Sequence, residues 1–311
     1  MAKIILPPVH CTSAQKFLDA LSPLGKHFGK DKIGEPWLFR GQGRDEPLIP
    51  SLFRKERNKM ALLTQRNIND PSQLRLAERD ALIEFFNIAD KRGLILPDDS
   101  QQLRSTIETL QSERGEHFTA SGFEGWVTSD ITLSLIALAQ HYGLPTRLLD
   151  WARQSFTAAF FAAESAFAHL SENDPKSCLV VWAFYFPELG KHDDIDRRTD
   201  PLRIITAPSA TNTNLKAQQG VFTLLNSFYA DEGIDNYPSM DQFLSDLAAK
   251  VQPLKSGSDS LVAKCRLQKF TLPISESSEL LRLLAKLDIT PSSIYPGFSS
   301  IITDLQMRNH W

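Results

Sequence analysis

Residues 139–151 read AQHYGLPTRLLDW. The run gathers Gln140, His141, Tyr142, Arg147 and Asp150 around Gly143 and Pro145, between two apolar stretches, ITLSLIALA at 131–139 and FTAAFFAA at 156–163. The flanks are long enough to be buried helices, and a polar island between two buried segments is where a site is usually built. A second island, WLFRGQG at 37–43, lies upstream. Both point to an α+β protein with its chemistry at the junctions of buried elements.

Working outward, the helix before the island begins near Ser129 or Asp130 and ends at Tyr142, where Gly143 supplies a left-handed stop. Pro145 then forces Leu144 to be extended. The helix after it, 154–168, is apolar almost all round and belongs at the centre of the core. Cys178–Phe186 is β-branched and aromatic and closed by Pro187, which predicts a buried strand. Upstream, Thr12 or Ser13 caps a helix over 14–22. The stretch 36–41 reads as a short strand entering a Gly-rich turn. Residues 72–92 carry a wide apolar stripe ended by Gly93, and 100–114 a more polar helical pattern. The stretch 115–128 is irregular, and 188–201 and 253–259 read as surface loops. Further strands are expected at 202–207, 221–225 and 264–272, and a helix at 239–250. Ser275 is placed to cap a last helix that turns Leu280, Leu281, Leu283, Leu284 and Leu287 to the core, with Lys286 near its end. The order predicts a helix-rich N-terminal half and a mixed or antiparallel sheet in the C-terminal half, rather than regular βαβ alternation.

Composition narrows the function classes. The 311 residues are 42% hydrophobic and 23% charged, with a formal net charge of −3. That is ample for a large core and ordinary for a soluble protein, and it is not the signature of a strongly basic nucleic-acid binder. Cys11, Cys178 and Cys265 are few, odd in number and far apart, so they form neither a disulfide framework nor a metal-ligand pattern. Cys178 and Cys265 read as buried thiols. The N-terminal MAKIILPPVH lacks the long apolar run of a signal peptide, and no stretch has the length of a membrane span. A cytoplasmic setting, no membrane and no metal are the expectations. His192-Asp193-Asp194 is expected to be solvated surface.

Arg40 ends an apolar strand and is followed by Gly41, Gln42 and Gly43. A guanidinium there can fork onto a phosphate or carboxylate, or sit in an ion pair at a strand end. His141 at a helix C-terminus gains proton affinity from the dipole and can orient a ligand or serve structure. Arg147 and Asp150 are expected first to pair with each other in the core, pinning the turn. Gln218-Gln219 precede an apolar strand and either reach a ligand or cap that strand. Glu164 is a carboxylate in an otherwise apolar helix, either a pole of a core network or a catalytic group facing a cleft. There is no GxSxG, HExxH, CxxC or Walker pattern.

WLFRGQG, PLIPSLFR at 47–54, LAQHYGLPTRLLDW, FTAAFFAA and AQQGVF at 217–222 strongly resemble the FRG domain family, named for a Phe-Arg-Gly tripeptide that is Phe39-Arg40-Gly41 here. LDITPSSIYPGFSSIITDL at 287–305 resembles the family's C-terminal pattern. The resemblance implies one FRG-type domain over 1–311, with core motifs over 30–225 and a helical insertion over 55–128. Such proteins occur in bacteria and their mobile elements.

The order of motifs is in turn similar to ADP-ribosyltransferase-like folds. That likeness implies NAD as cofactor or substrate and a role as toxin or phage-defence effector. Arg40 would hold the pyrophosphate, and His141 or Tyr142 would position the nicotinamide ribose. Gln219 would stand where such enzymes commonly carry Glu. A glutamine can bind ribose hydroxyls but cannot act as a base. Arg40, His141, Gln219 and Glu164 are therefore the candidate catalytic residues, and Gly41, Gln42, Gln140, Tyr142, Arg147 and Asp150 the candidate ligand-binding ones. The other reading is a non-catalytic module that binds a nucleotide or nucleic acid, with Arg44, Arg54, Lys55 and Arg57 as its basic face.

Overall fold

The computed structural model describes residues 4–28, 37–54, 57–112, 130–167, 177–187, 202–206, 220–225, 239–250, 264–295 and 297–308. Seven strands form one sheet: β1 (Val9–His10), β2 (Trp37–Gln42), β3 (Leu148–Ala152), β4 (Cys178–Tyr185), β5 (Leu202–Ile205), β6 (Gly220–Leu225) and β7 (Arg266–Pro273). Their order across the sheet is β1-β7-β4-β2-β3-β6-β5. Every pairing is antiparallel except β1 with β7. Ten α-helices accompany the sheet among the described residues: α1 (Ala14–Leu21), α2 (Asn58–Thr64), α3 (Pro71–Lys91), α4 (Gln101–Ser112), α5 (Asp130–His141), α6 (Ser155–Phe167), α7 (Met240–Lys250), α8 (Ser277–Ala285), α9 (Pro291–Ile294) and α10 (Phe298–Arg308). The expected α+β class and mixed sheet are what the chain forms, but helices and strands are not segregated by half: among the described residues five helices precede Ser155 and five begin at or after it, and β1, β2 and β3 all lie before it.

The central strands are largely buried on both faces, and their alternation sorts side chains between different cores. In β4, Leu179, Val181 and Ala183 join a core with α1, α6 and α8, while Val180, Trp182 and Phe184 join one with Met240, Phe243 and Leu244 of α7. In β3 and β6, Leu148, Phe222 and Leu224 pack on α3, α4 and α5, whereas Leu149, Val221 and Leu225 face the α7 side. One face of the sheet is thus covered by two separate helix groups. The group of α1, α6 and α8 lies over β7, β4 and β2, and the group of α3, α4 and α5 lies over β3, β6 and β5.

The seam between these groups runs along β2 and β3. Strand β2 pairs with β4 along its whole length, from Trp37↔Tyr185 to Gln42↔Val180. Its pairing with β3 is a single position, Phe39↔Ala152. Beyond Phe39 the two central strands part.

Local sequence accounts for the elements that frame this seam. Ser13 caps α1 through its side chain. Helix α5 ends with Gly143 at φ +90°, where Leu144 N–H donates to the Ala139 carbonyl at 3.0 Å and Gly143 N–H to Gln140 at 2.9 Å, a Schellman closure. The same closure ends α8 at Asp288, without glycine, at φ +61°.

Several expectations are corrected. The strand expected over 36–41 does not end before the glycines: β2 runs through Gly41 to Gln42, and the chain bends only at Gly43 and Arg44. The chain after Pro145 is not only a turn, since Leu148–Ala152 is a central strand. Helix α8 begins at Ser277, after a short 3-10 turn over Ile274–Glu276, and is followed by two more helices. Leu287 lies past its end and is exposed. Cys265 is buried, but Cys178 is only partly so. The stretches 115–128, 188–201 (with His192-Asp193-Asp194) and 253–259 lie outside the described residues, as does Lys55.

Candidate functional site

A cleft of about 310 Å³ opens at the seam. Its floor is made by Phe39, Arg40 and Gly41 of β2, Asp150, Trp151 and Ala152 of β3, and Gly220 and Phe222 of β6. Gln140 and His141 at the end of α5 form one wall, Phe161 of α6 and Tyr295 just after α9 the other.

Arg40 and Asp150 bridge the parted strands. Arg40 Nη1 donates to Asp150 Oδ1 at 2.6 Å and to the Asp150 backbone carbonyl at 2.9 Å. Where the backbone ladder between β2 and β3 lapses, the guanidinium supplies the donor instead. The two partners are unequally placed. The Arg40 side chain is 9% accessible, that of Asp150 63%. The carboxylate stands on the floor of a concavity, hemmed in by protein yet open to a ligand. Its crowded setting would raise its pKa, but the charge and hydrogen bond of Arg40, aided by the charge of Arg54, outweigh this and hold the carboxyl below its ordinary range. Among the described residues Arg40 Nε finds no hydrogen-bond partner.

Asp150 is also approached by Gln140, whose Nε2 lies 3.4 Å from Oδ1. The Gln140 Oε1 accepts from the Thr146 hydroxyl, which fixes the amide so that its NH₂ turns toward the carboxylate. His141 is half-buried, and burial lowers its pKa, so its neutral form is favoured. Across the cleft Tyr295 Oη donates to Glu164 Oε2 at 2.6 Å. Burial raises the Glu164 pKa, with the Tyr295 hydrogen bond opposing it, while burial and the two carboxylates, Glu164 and Asp150, push the Tyr295 phenol well above its ordinary range.

Of the residues singled out in the sequence, Arg40, Gly41, Gln140, His141 and Asp150 meet in the cleft, and Glu164 touches it through Tyr295. Gln42 does not line it: its Oε1 accepts from Trp182 Nε1 at 2.7 Å. Tyr142 points away, 68% exposed, its ring 5.3 Å from that of His141. Gln218 and Gln219 lie outside the described residues. The expected Arg147–Asp150 pair does not form. Arg147, at the bend just before β3, pairs with Glu78 of α3, Nε to Oε2 at 2.9 Å, both side chains almost fully buried, while Asp150 pairs with Arg40. Gly41 is needed for packing. A Cβ there would lie 1.9 Å from the Ala158 carbonyl oxygen and 2.7 Å from Ala162 N, so the missing side chain is what lets α6 lie against β2. Gly43, two residues on, meets Ser165 and Ala166 in the same way.

Tyr295 is a cleft residue that lies outside both polar islands. The signal available was a tyrosine in an apolar, proline-punctuated stretch, which does not distinguish a wall from a core.

No helix among the described residues is long and apolar enough to cross a membrane, and no group of three or more His, Cys, Asp or Glu among them could hold a metal ion. No curated protein and no solved structure matches the chain. Residues 35–170, which carry β2, α5, β3 and α6 and so both halves of the Arg40–Asp150 bridge, match the FRG domain.

Proposed function

We propose that the cleft binds a nucleotide, with NAD as the ligand to test first, and that the protein hydrolyses NAD or transfers its ADP-ribose to a protein or nucleic-acid acceptor. A toxin or phage-defence effector is the biological setting this reading fits. The observation that carries it is the accessible Asp150 carboxylate, held ionised by a buried Arg40 at the split of the sheet. Breaking a ribosyl bond builds positive charge on the sugar, and a fixed carboxylate in a confined site is the group that stabilises such charge. A carboxylate near Arg40 is what this chemistry requires, and Asp150 meets that requirement without Gln219.

The fit to NAD is partial in size and good in chemistry. A volume of about 310 Å³ lies at the small end of ligand sites, enough for a ring and a sugar rather than a whole dinucleotide. Phe161 and Tyr295 offer ring faces at one side, and Asp150 and the Gln140 amide offer polar groups for ribose hydroxyls at the other. His141 in its neutral form can accept or donate one further hydrogen bond. Arg40 is best used in holding Asp150 rather than in gripping phosphate, since its Nη1 is already committed.

The test is NAD binding and consumption by the purified protein, wild type beside R40A and D150N. Turnover abolished in both variants supports the reading. Binding without turnover in the wild type selects the other reading, a non-catalytic nucleotide-binding module. Nucleic acid is a weaker occupant of that module, because Arg44, Arg54 and Arg57 are half-buried and each already interacts within the protein.

A further inference from the structure

Tyr295 lies far beyond the segment that matches the family model, yet it forms a wall of the cleft. Its ring centroid is 6.1 Å from that of Phe161, the planes at 60°, and 6.3 Å from that of Phe160. Phe160 is fully buried, so it backs the corner, while Phe161 and Tyr295 are partly exposed and present their rings to the opening. The corner is held from two sides. Tyr295 Oη is tied to Glu164 on α6 at 2.6 Å, and Tyr295 N–H donates to the Pro291 carbonyl at 2.8 Å, closing α9. Helix α9 is itself fixed at its start, where Thr290 N–H donates to the Ser293 hydroxyl at 3.0 Å. The rotamer of Tyr295 is therefore set before any ligand arrives.

An aromatic corner facing a carboxylate across one small cleft suits a ligand with a flat ring at one end and hydroxyls at the other. We propose that Tyr295, seated by Glu164, is the residue that selects the planar base of a nucleotide. The inference rests on the cleft being a nucleotide site, but not on turnover. Glu164 is a positioning residue here: it acts through the Tyr295 hydroxyl and needs no contact with ligand. The C-terminal segment then belongs to the working site, and the matched segment alone supplies Phe161 without its aromatic partner.

Titration calorimetry on the full chain, with adenosine 5′-monophosphate and nicotinamide mononucleotide set against ribose 5-phosphate, tests this directly, because the ligands share the sugar phosphate and differ in the base. Stacking of a base on an aromatic side chain corresponds to roughly tenfold or more in affinity. The wild type is expected to prefer both nucleotides over ribose 5-phosphate by at least about tenfold, and Y295A to bring the preference close to unity with ribose 5-phosphate affinity unchanged. E164A is expected to weaken the preference about threefold or more, and E164Q, whose amide oxygen still accepts from Tyr295, to restore it. A wild type with no preference, or none of the three bound, overturns the proposal. So does a Y295A variant that keeps the preference. If the preference behaves as expected but NAD is never consumed, the base-selecting role stands and the enzymatic reading falls.

Discussion

Arg40 Nη1 touches both the side chain and the backbone carbonyl of Asp150, at 2.6 and 2.9 Å, at the place where β2 and β3 cease to pair. One guanidinium thus closes a gap in the sheet and fixes the group most available to a ligand. R40A removes the guanidinium from the carbonyl and carboxylate of Asp150 and leaves the carboxylate with the long contact from Gln140. Because Asp150 is 63% accessible, water screens much of the lost pair, and the cost should be about 1–2 kcal/mol rather than the larger figure for a fully buried bridge. R40K should recover less than half of this, since a compact, strongly hydrated ammonium is costlier to bury at that position than a guanidinium. Urea denaturation measures both. An R40A variant as stable as wild type would remove the bridging role.

The Glu78–Arg147 pair is the contrasting case, with both side chains at most 5% accessible. Removing one partner takes the counter-charge away from a buried group, and E78A should cost about 3–5 kcal/mol. Replacing both with apolar residues, E78L with R147M, should recover most of that loss. The cleft is untouched, so ligand affinity of the folded double variant should equal that of wild type. A loss below about 1 kcal/mol in E78A would show that water reaches the pair.

Much of the architecture was legible because it is written in local pattern. The stripe of α3, the Ser13 cap, the Gly143 stop and the apolar run of β4 each follow from neighbouring residues. Strand β3 was hidden because five residues carrying Asp150 and following Arg147 read as part of a turn, and it is pairing with β6 along their whole length that makes them a strand. The partner of Arg147 could not be read, since Glu78 is brought to it by packing of α3 against the sheet. The two polar islands did mark the cleft, and Arg40, Gln140, His141 and Asp150 came from them. Tyr295 did not, because nothing in its own stretch encodes that Glu164 lies across from it.

Glycine substitutions separate packing from backbone strain. At Gly41 an added Cβ meets backbone atoms of Ala158 and Ala162, which cannot rotate away. G41A should therefore force α6 off the sheet, and soluble folded yield should collapse. At Gly143 nothing lies within 4 Å, and only φ +90° opposes a side chain. G143A should fold with a penalty of about 1 kcal/mol. Circular dichroism melts of the two variants check this, and equal penalties would contradict it.

The acid limb of stability should carry opposite contributions from the two cleft carboxyls. Asp150 has its pKa depressed in the fold, so its contribution is present above the ordinary value of 3.8 and lost as pH falls through the folded value. Glu164 has its pKa raised, so the fold favours its protonated form below the ordinary value of 4.5, and that contribution fades as pH rises through the folded value. D150N should flatten the loss of stability in acid. E164Q, which keeps an acceptor for Tyr295, should gain stability relative to wild type between acid and neutral pH. Melting temperatures over pH 3–7 read both, and E164Q shifting in the same direction as D150N would reverse the assignment for Glu164.

Kinetics would separate the roles within the Arg40–Asp150 bridge. If the carboxylate acts on charge that develops only as the ribosyl bond breaks, it stabilises the transition state more than the bound ligand. D150N keeps the size of the side chain and an oxygen for Arg40, yet removes the negative charge. It should lower NAD turnover by about a hundredfold or more while NAD affinity stays within about threefold, the pattern of a group used only in the transition state. R40A should lose turnover and affinity together, because it frees Asp150 from its orientation as well as altering its charge state. Single-turnover assays with a separate binding measurement give both quantities. Turnover in D150N equal to wild type would exclude Asp150 from the chemistry, and the carboxylate would then have to be supplied by Glu164, whose E164Q variant should in that case show the loss instead.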